Sequence, residues 1–233
     1  MPDFITPSVA AKLKGFVELF RHEVSVPSLD NWKFKSDAQL WAAVIGQIAV
    51  VGSAASGDAL ARELEPDLEP WFTALREAAP ASRLKAIHLR FRNAGIRYVT
   101  LDSASCKKTA AAAFNFELLG TYGGPKPYFR QLAAVPVESW RIGIVSDELA
   151  YIKNKGARDL LIGLGLAQSV IAFDTRLRTV LTKLGANLPP DLASNKVKYR
   201  MLEQELLAKV CGPCSISGGH LDRILFSRWR DVA

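Results

Sequence analysis

The chain has 233 residues, enough for one large domain or two lobes with a sizeable core. Hydrophobic residues make up 49% and charged residues 23%, a globular rather than a disordered composition. Lysine and arginine outnumber aspartate and glutamate by 30 to 23, a formal net charge of +7 with pI near 9.4. That balance suits a polyanionic partner such as nucleic acid, and it also suits plain solubility. Three cysteines, Cys106, Cys211 and Cys214, are too few and the wrong parity for a secreted disulfide framework. Phe4 to Val9 is too short for a leader and is followed by lysines. The longest apolar run, Trp41 to Ala55, is broken by Gly46, Gln47, Gly52 and Ser53, so it is not a membrane span. The expectation is a cytoplasmic protein with no membrane contact.

The periodicity is helical almost throughout. Val9 to Glu23 spaces Val9, Leu13, Phe16, Val17 and Phe20 on one face, and the turn after Pro27 ends it. Ser36-Asp37 is an N-cap for Ala38 to Val51, a helix apolar on most faces and therefore central, with Gln47 as its one polar residue in the C-terminal half. Ser56 or Asp58 starts the next helix, which stops before Pro66, and Pro70 to Ala78 is a short one. Ser82 to Gly95 is basic, carrying Arg83, Lys85, His88, Arg90 and Arg92, and Lys107-Lys108 opens an alanine-rich helix ending at Gly120. Arg90, Arg92, Lys107 and Lys108 suit either DNA phosphates or an ordinary charged face. Thr121 to Pro127 is expected as a loop, Tyr128 to Ala134 as a short helix, and Ser146-Asp147-Glu148 as the cap of a following helix. Helices over Thr175–Leu184, Tyr199–Val210 and Gly219–Trp229 complete an all-α chain of about ten helices.

Chemistry concentrates between Tyr151 and Asp174. Lys155 follows a tight turn and opens an apolar helix. Asp174 comes 19 residues later, after Val170-Ile171-Ala172-Phe173. An amine with a carboxylate in the same cleft is what imine-forming catalysis requires. Lys155 also reads as a solvated helix-start lysine, and Asp174 as the N-cap of the Thr175 helix. Gly163-Leu164-Gly165 is read as the C-terminus of the lysine helix rather than as a second hairpin. Cys211-Gly212-Pro213-Cys214 has redox or metal spacing, but a four-thiolate site lacks its fourth cysteine, and a Gly-Pro turn explains the pattern with His220 nearby.

Five segments carry a resemblance. They are Leu40–Gln47, Phe91–Val99, Lys155–Leu161, Val170–Arg176 and Gly219–Phe226. In this order and spacing the chain resembles the helix-hairpin-helix DNA glycosylase superfamily, nearest to its 8-oxoguanine branch, with coverage from about Leu40 to Trp229. The resemblance implies a two-lobed all-α fold with the active site in the cleft between the lobes. One lobe would be residues 35–155, six helices ending in the hairpin, and the other residues 1–34 with 156–233. It implies base-excision repair of double-stranded DNA containing a damaged base, by a monomer without cofactor or metal, nucleoid-associated if the source is prokaryotic.

By the same resemblance Lys155, kept partly neutral by burial, attacks the sugar C1′, and Asp174 stabilises the cationic sugar. Gln47, Arg92, Lys153, Asn154, Gly156 and Arg176 would contact DNA, with Gln47 filling the gap left by the flipped nucleotide or simply ending its helix. Trp32, Trp41, Phe114, Phe116 and Trp229 are the candidate stackers of the flipped base. The family's hairpin carries two glycines before its lysine; here Tyr151 and Lys153 occupy those positions. Oxidised purine comes first as substrate, with alkylated bases and oxidised pyrimidines behind it. A non-catalytic DNA-binding relative and a CGPC metal or redox protein are the rival readings.

Overall fold

The computed structural model describes residues 3–100, 102–103 and 105–231. Among them are twelve α-helices and no strand: α1 (Pro7–Phe20), α2 (Asp37–Ala49), α3 (Ala55–Leu64), α4 (Leu68–Glu77), α5 (Pro80–Asn93), α6 (Lys107–Thr121), α7 (Pro125–Ala134), α8 (Glu138–Glu148), α9 (Asn154–Leu164), α10 (Thr175–Lys183), α11 (Lys196–Leu206) and α12 (Gly218–Ser227). A 3-10 turn covers Asn31–Phe34, and a π-helical turn, Leu207–Cys211, extends α11. No helix of the described residues is long and apolar enough to cross a membrane. The chain divides into two compact units, residues 31–160 and residues 1–30 with 161–233.

The first unit is built around α2. Ser36 caps it with a reciprocal box: the Gln39 N–H donates to Ser36 Oγ at 3.1 Å, and the Ser36 N–H donates to Gln39 Oε1 at 3.0 Å. Leu40, Trp41, Val44, Ile45 and Ile48 are all fully buried, and α2 packs on α3, α4, α6 and α7. The apolar pattern that marks this helix as central in the sequence is therefore the pattern of a helix surrounded by others.

The second unit gathers α1, α10, α11, the π-helical turn and α12 around a core that includes Leu13, Val17, Leu177, Leu181, Leu202 and Leu225. Thr6 caps α1, with Pro7 in the first turn where a missing N–H costs nothing.

Several expected boundaries move. Ser146-Asp147-Glu148 lies in the last turn of α8 and does not start a helix. The helix begins instead at Glu138, after Val137, which makes no side-chain cap bond. The expected Thr121–Pro127 loop is shorter, because α7 already starts at Pro125, a proline at the first helical position.

Candidate active site

Lys155 enters α9 just after the turn that follows α8. Tyr151 adopts φ +69°, the left-handed region that side chains rarely occupy. The turn thus retains a left-handed residue without a glycine, at roughly 1–2 kcal/mol of local cost. A buried asparagine holds it in place. Asn115, on α6, donates from Nδ2 to Ala150 O at 3.0 Å and accepts from the Ala150 N–H at 2.7 Å on Oδ1. Sequence reasoning missed Asn115, since nothing in an alanine-rich helix marks which polar residue turns inward.

The Lys155 ammonium lies 3.5 Å from Asp159 Oδ2, one helical turn on. Gln47 Nε2 donates to the same oxygen at 3.2 Å. The Gln47 Oε1 atom is buried and has no hydrogen-bond partner. A Cβ at Gly156 would stand 3.7 Å from that Oε1, in ordinary contact. Lysine, aspartate and glutamine thus form one cluster built by α2 and α9. The lysine side chain is 38% exposed, so the expected burial is not what surrounds it; a carboxylate is. Asp159 was missed, although its spacing of four residues from Lys155 signals it. Asn154 Oδ1 accepts from the Arg158 guanidinium, which fastens the first turn of α9, while Lys153 is exposed. At the other end of α9, Gly165 takes φ +69°, and the Leu166 and Gly165 N–H groups donate to Leu161 O and Ile162 O at 2.8 and 3.1 Å. Gly165 is therefore a helix C-cap, as the sequence reading has it.

Asp174 lies in the other unit, where buried side chains hold the extended segment leading to it. The Ile171, Ala172 and Phe173 N–H groups donate to Glu203 Oε1, Asp222 Oδ1 and the Tyr199 hydroxyl at 2.8, 2.9 and 2.8 Å. Such a segment has no neighbouring strand to satisfy its backbone, so polar side chains from α11 and α12 do so. Asp174 itself caps α10, accepting the Leu177 N–H at 2.8 Å. Two residues on, the Arg176 guanidinium lies 4.3 Å from the Phe226 ring centroid and 5.9 Å from that of Trp229.

The remaining basic and aromatic candidates separate by burial. Arg92 and Lys107 are exposed. Arg90 pairs with Glu63 at 3.2 Å and with Asp67, and buried Lys108 donates to Ala49 O and Val51 O at 3.0 and 2.8 Å, so both cations are engaged by the protein's own acceptors. Burial holds the Lys108 amine below the usual lysine range. Trp32, Trp41 and Phe116 are core residues, whereas Phe114 is exposed and Trp229 half-buried.

Cys211 and Cys214 are free and buried, and burial pushes the Cys211 thiol up to about 12. A thiol in that range is a poor nucleophile, which argues against a redox dithiol. His220 Nε2 is 2.8 Å from Val24 O, so the histidine is engaged with the backbone. The described residues hold no group of three or more His, Cys, Asp or Glu placed to bind a metal ion.

No family model and no curated protein sequence matches the chain. Solved structures do. The 8-oxoguanine DNA glycosylase of Methanocaldococcus jannaschii is similar over 95% of this chain and 93% of that one, with TM-score 0.70 and 14% identity. The same organism's 8-oxoguanine glycosylase/lyase, in complex with a 15-mer DNA containing 8-oxoguanine, is similar over 97% and 98%, with TM-score 0.66 and 15% identity. The 8-oxoguanine DNA glycosylase of Thermotoga maritima is similar over 94% of each chain, with TM-score 0.65 and 17% identity.

The chain has the fold of these glycosylases. The likeness spans nearly all of both chains, so neither compact unit is an addition to it. The glycosylase-like fold accounts for the all-helical build that periodicity predicts.

Proposed function

We propose that this chain is a DNA glycosylase with AP lyase activity that removes an oxidised purine, 8-oxoguanine first, from double-stranded DNA. One observation carries the reading: the fold is that of three 8-oxoguanine glycosylase structures over at least 93% of each compared chain. The lysine at the start of α9 supports it, because a primary amine is the group that imine chemistry needs. Lys155 Nζ attacks C1′ of the damaged nucleotide as the N-glycosidic bond breaks, and the base leaves with its electron pair and takes up a proton. The ring then opens to a Schiff base between Lys155 and C1′. Loss of a C2′ proton expels the 3′ phosphate and nicks the strand. Asp174 stabilises the cationic sugar, and Asp159 is the carboxylate beside the amine. Gln47, Arg92, Lys153, Asn154, Gly156 and Arg176 are the proposed DNA contacts, and the working form is a monomer inside the cell.

Borohydride trapping tests this. Duplex DNA containing 8-oxoguanine, with panels carrying an alkylated base, an oxidised pyrimidine or an abasic site, is mixed with the protein under reducing conditions. The expected result is a covalent adduct with the 8-oxoguanine duplex that Lys155→Gln abolishes. No adduct with any duplex would eliminate the lyase activity and leave a DNA-binding relative of the fold. An adduct that survives in Lys155→Gln would move the nucleophile elsewhere.

A further inference from the structure

A cavity of about 190 Å³ is framed by α7 and α8, within the unit of residues 31–160, and none of its lining residues has a part in the proposed reaction. One side is apolar, with Leu132 on α7, Val135 at its end and Ile144 on α8. The other side is polar. Glu148, the last residue of α8, accepts the Tyr122 hydroxyl at 3.2 and 3.3 Å on its two oxygens. Tyr128 is only 2% exposed, and its hydroxyl is buried without a hydrogen-bond partner. The Tyr122 and Tyr128 rings meet edge to face with centroids 5.0 Å apart. Gln131 completes the lining.

This combination selects a cation. A carboxylate in the last turn of a helix adds its charge to the negative end of the helix dipole. Among the described residues no lysine or arginine forms an ion pair with Glu148. Burial, and then the charge of Glu148, raise the Tyr128 phenol above its usual range, so it stays neutral and its oxygen keeps lone pairs to accept with. Tyrosine rings attract cations as well. The remaining features narrow the cation. A bare metal ion would gain nothing from the apolar side. A quaternary ammonium would suit the rings and the carboxylate, but it has no N–H for the orphaned Tyr128 hydroxyl. A primary ammonium has three N–H groups to give, which match the Glu148 carboxylate, the Tyr128 oxygen and the Gln131 amide oxygen. Its alkyl chain then covers Leu132, Val135 and Ile144.

We propose that this cavity is a binding site for a primary alkylammonium ion, with Glu148 as its counter-ion and the Tyr128 hydroxyl as a hydrogen-bond acceptor. The site shares no residue with the proposed DNA contacts, so it stands or falls independently of the lyase reading.

Titration of the isotopically labelled full chain with n-butylammonium, followed by NMR at the Glu148 and Leu149 amides, tests this. The wild-type protein should show saturable shifts with a dissociation constant of about a millimolar, as expected of so small a ligand. n-Butanol, with the same chain and no charge, should leave the amides unmoved. Tetramethylammonium should bind about 10-fold more weakly than n-butylammonium, because it donates no hydrogen bond. Glu148→Gln should weaken n-butylammonium about 10- to 100-fold, the loss of a charge-assisted hydrogen bond. Tyr128→Phe, which keeps the ring and its packing, should weaken it about 3- to 10-fold. No saturable shift in the wild-type protein would overturn the proposal. So would equal affinity in wild type and Glu148→Gln, or equal affinity for n-butylammonium and tetramethylammonium. If Glu148→Gln does not fold, Tyr128→Phe decides, and unchanged affinity there overturns the site as described.

Discussion

Asn115 fastens the turn before α9 from a helix distant in sequence. Ala150 exchanges its N–H and C=O with the side-chain amide of a fully buried residue, and both bonds are partly shielded from water. Truncation to alanine leaves two backbone groups without partners, each costing about 1–3 kcal/mol when buried. Asn115→Ala should therefore lower the unfolding free energy by about 2–4 kcal/mol in urea titration and raise the amide exchange rate at Ala150. A change below about 0.5 kcal/mol would mean that the turn finds other partners. The sequence holds no hint of this residue, because its partner lies 35 positions away. Asp159 is the opposite case: four residues after Lys155 on one helix, the contact follows from helical geometry alone. Lys108 shows the limit of reading charge. A basic residue at a helix start reads as a phosphate contact until the carbonyls of Ala49 and Val51, at and just beyond the end of α2, are seen to accept from it.

At the scale of elements, what was legible was what local chemistry decides. Ser36 announces α2, Asp174 announces α10 and Gly165 closes α9, each through bonds to residues within four positions. The start of α8 was not legible, since Val137 makes no cap bond and packing alone sets that end. The segment before Asp174 was legible as apolar, but its support was not, since Glu203, Tyr199 and Asp222 come from helices 26 to 50 residues away. Gly218 is part of the same support. A Cβ there would stand 2.8 Å from Val170 O, 3.0 Å from Val170 N and 2.9 Å from Leu207 Cδ2, and backbone atoms cannot turn aside as a flexible side chain does. Gly218→Ala should destabilise the protein by about 1–3 kcal/mol and, on the glycosylase reading, slow adduct formation by displacing the approach to Asp174. Gly143→Ala serves as the control: its Cβ meets nothing within 4 Å, and it should stabilise α8 by about 0.5–1 kcal/mol. Equal stability in the two variants would show that the Val170 segment yields freely.

For the whole molecule, the net charge of +7 suits the duplex DNA of the proposed function but does not by itself set an affinity. The excess of seven cations is not spread evenly in function. Arg90, Lys108 and Arg83 are engaged inside the protein, Arg83 with Leu75 O at 2.7 Å, Ala78 O at 2.8 Å and Glu117. On the proposed reading, the exposed Arg92, Arg97, Lys107 and Lys153, with half-buried Arg176, are the cations that meet phosphates. Each phosphate that such a cation neutralises releases condensed counterions and contributes about −0.9 to the slope of log affinity against log salt concentration. Five contacts give a slope of about −4 to −5 for duplex DNA. On the proposed reading exposed Lys153 meets phosphate through its side chain, so Lys153→Gln should make the slope shallower by about 1 and weaken binding to damaged and undamaged duplex alike. Fluorescence anisotropy across a salt series measures both slopes. An unchanged slope in Lys153→Gln would mean that this turn makes no ionic phosphate contact.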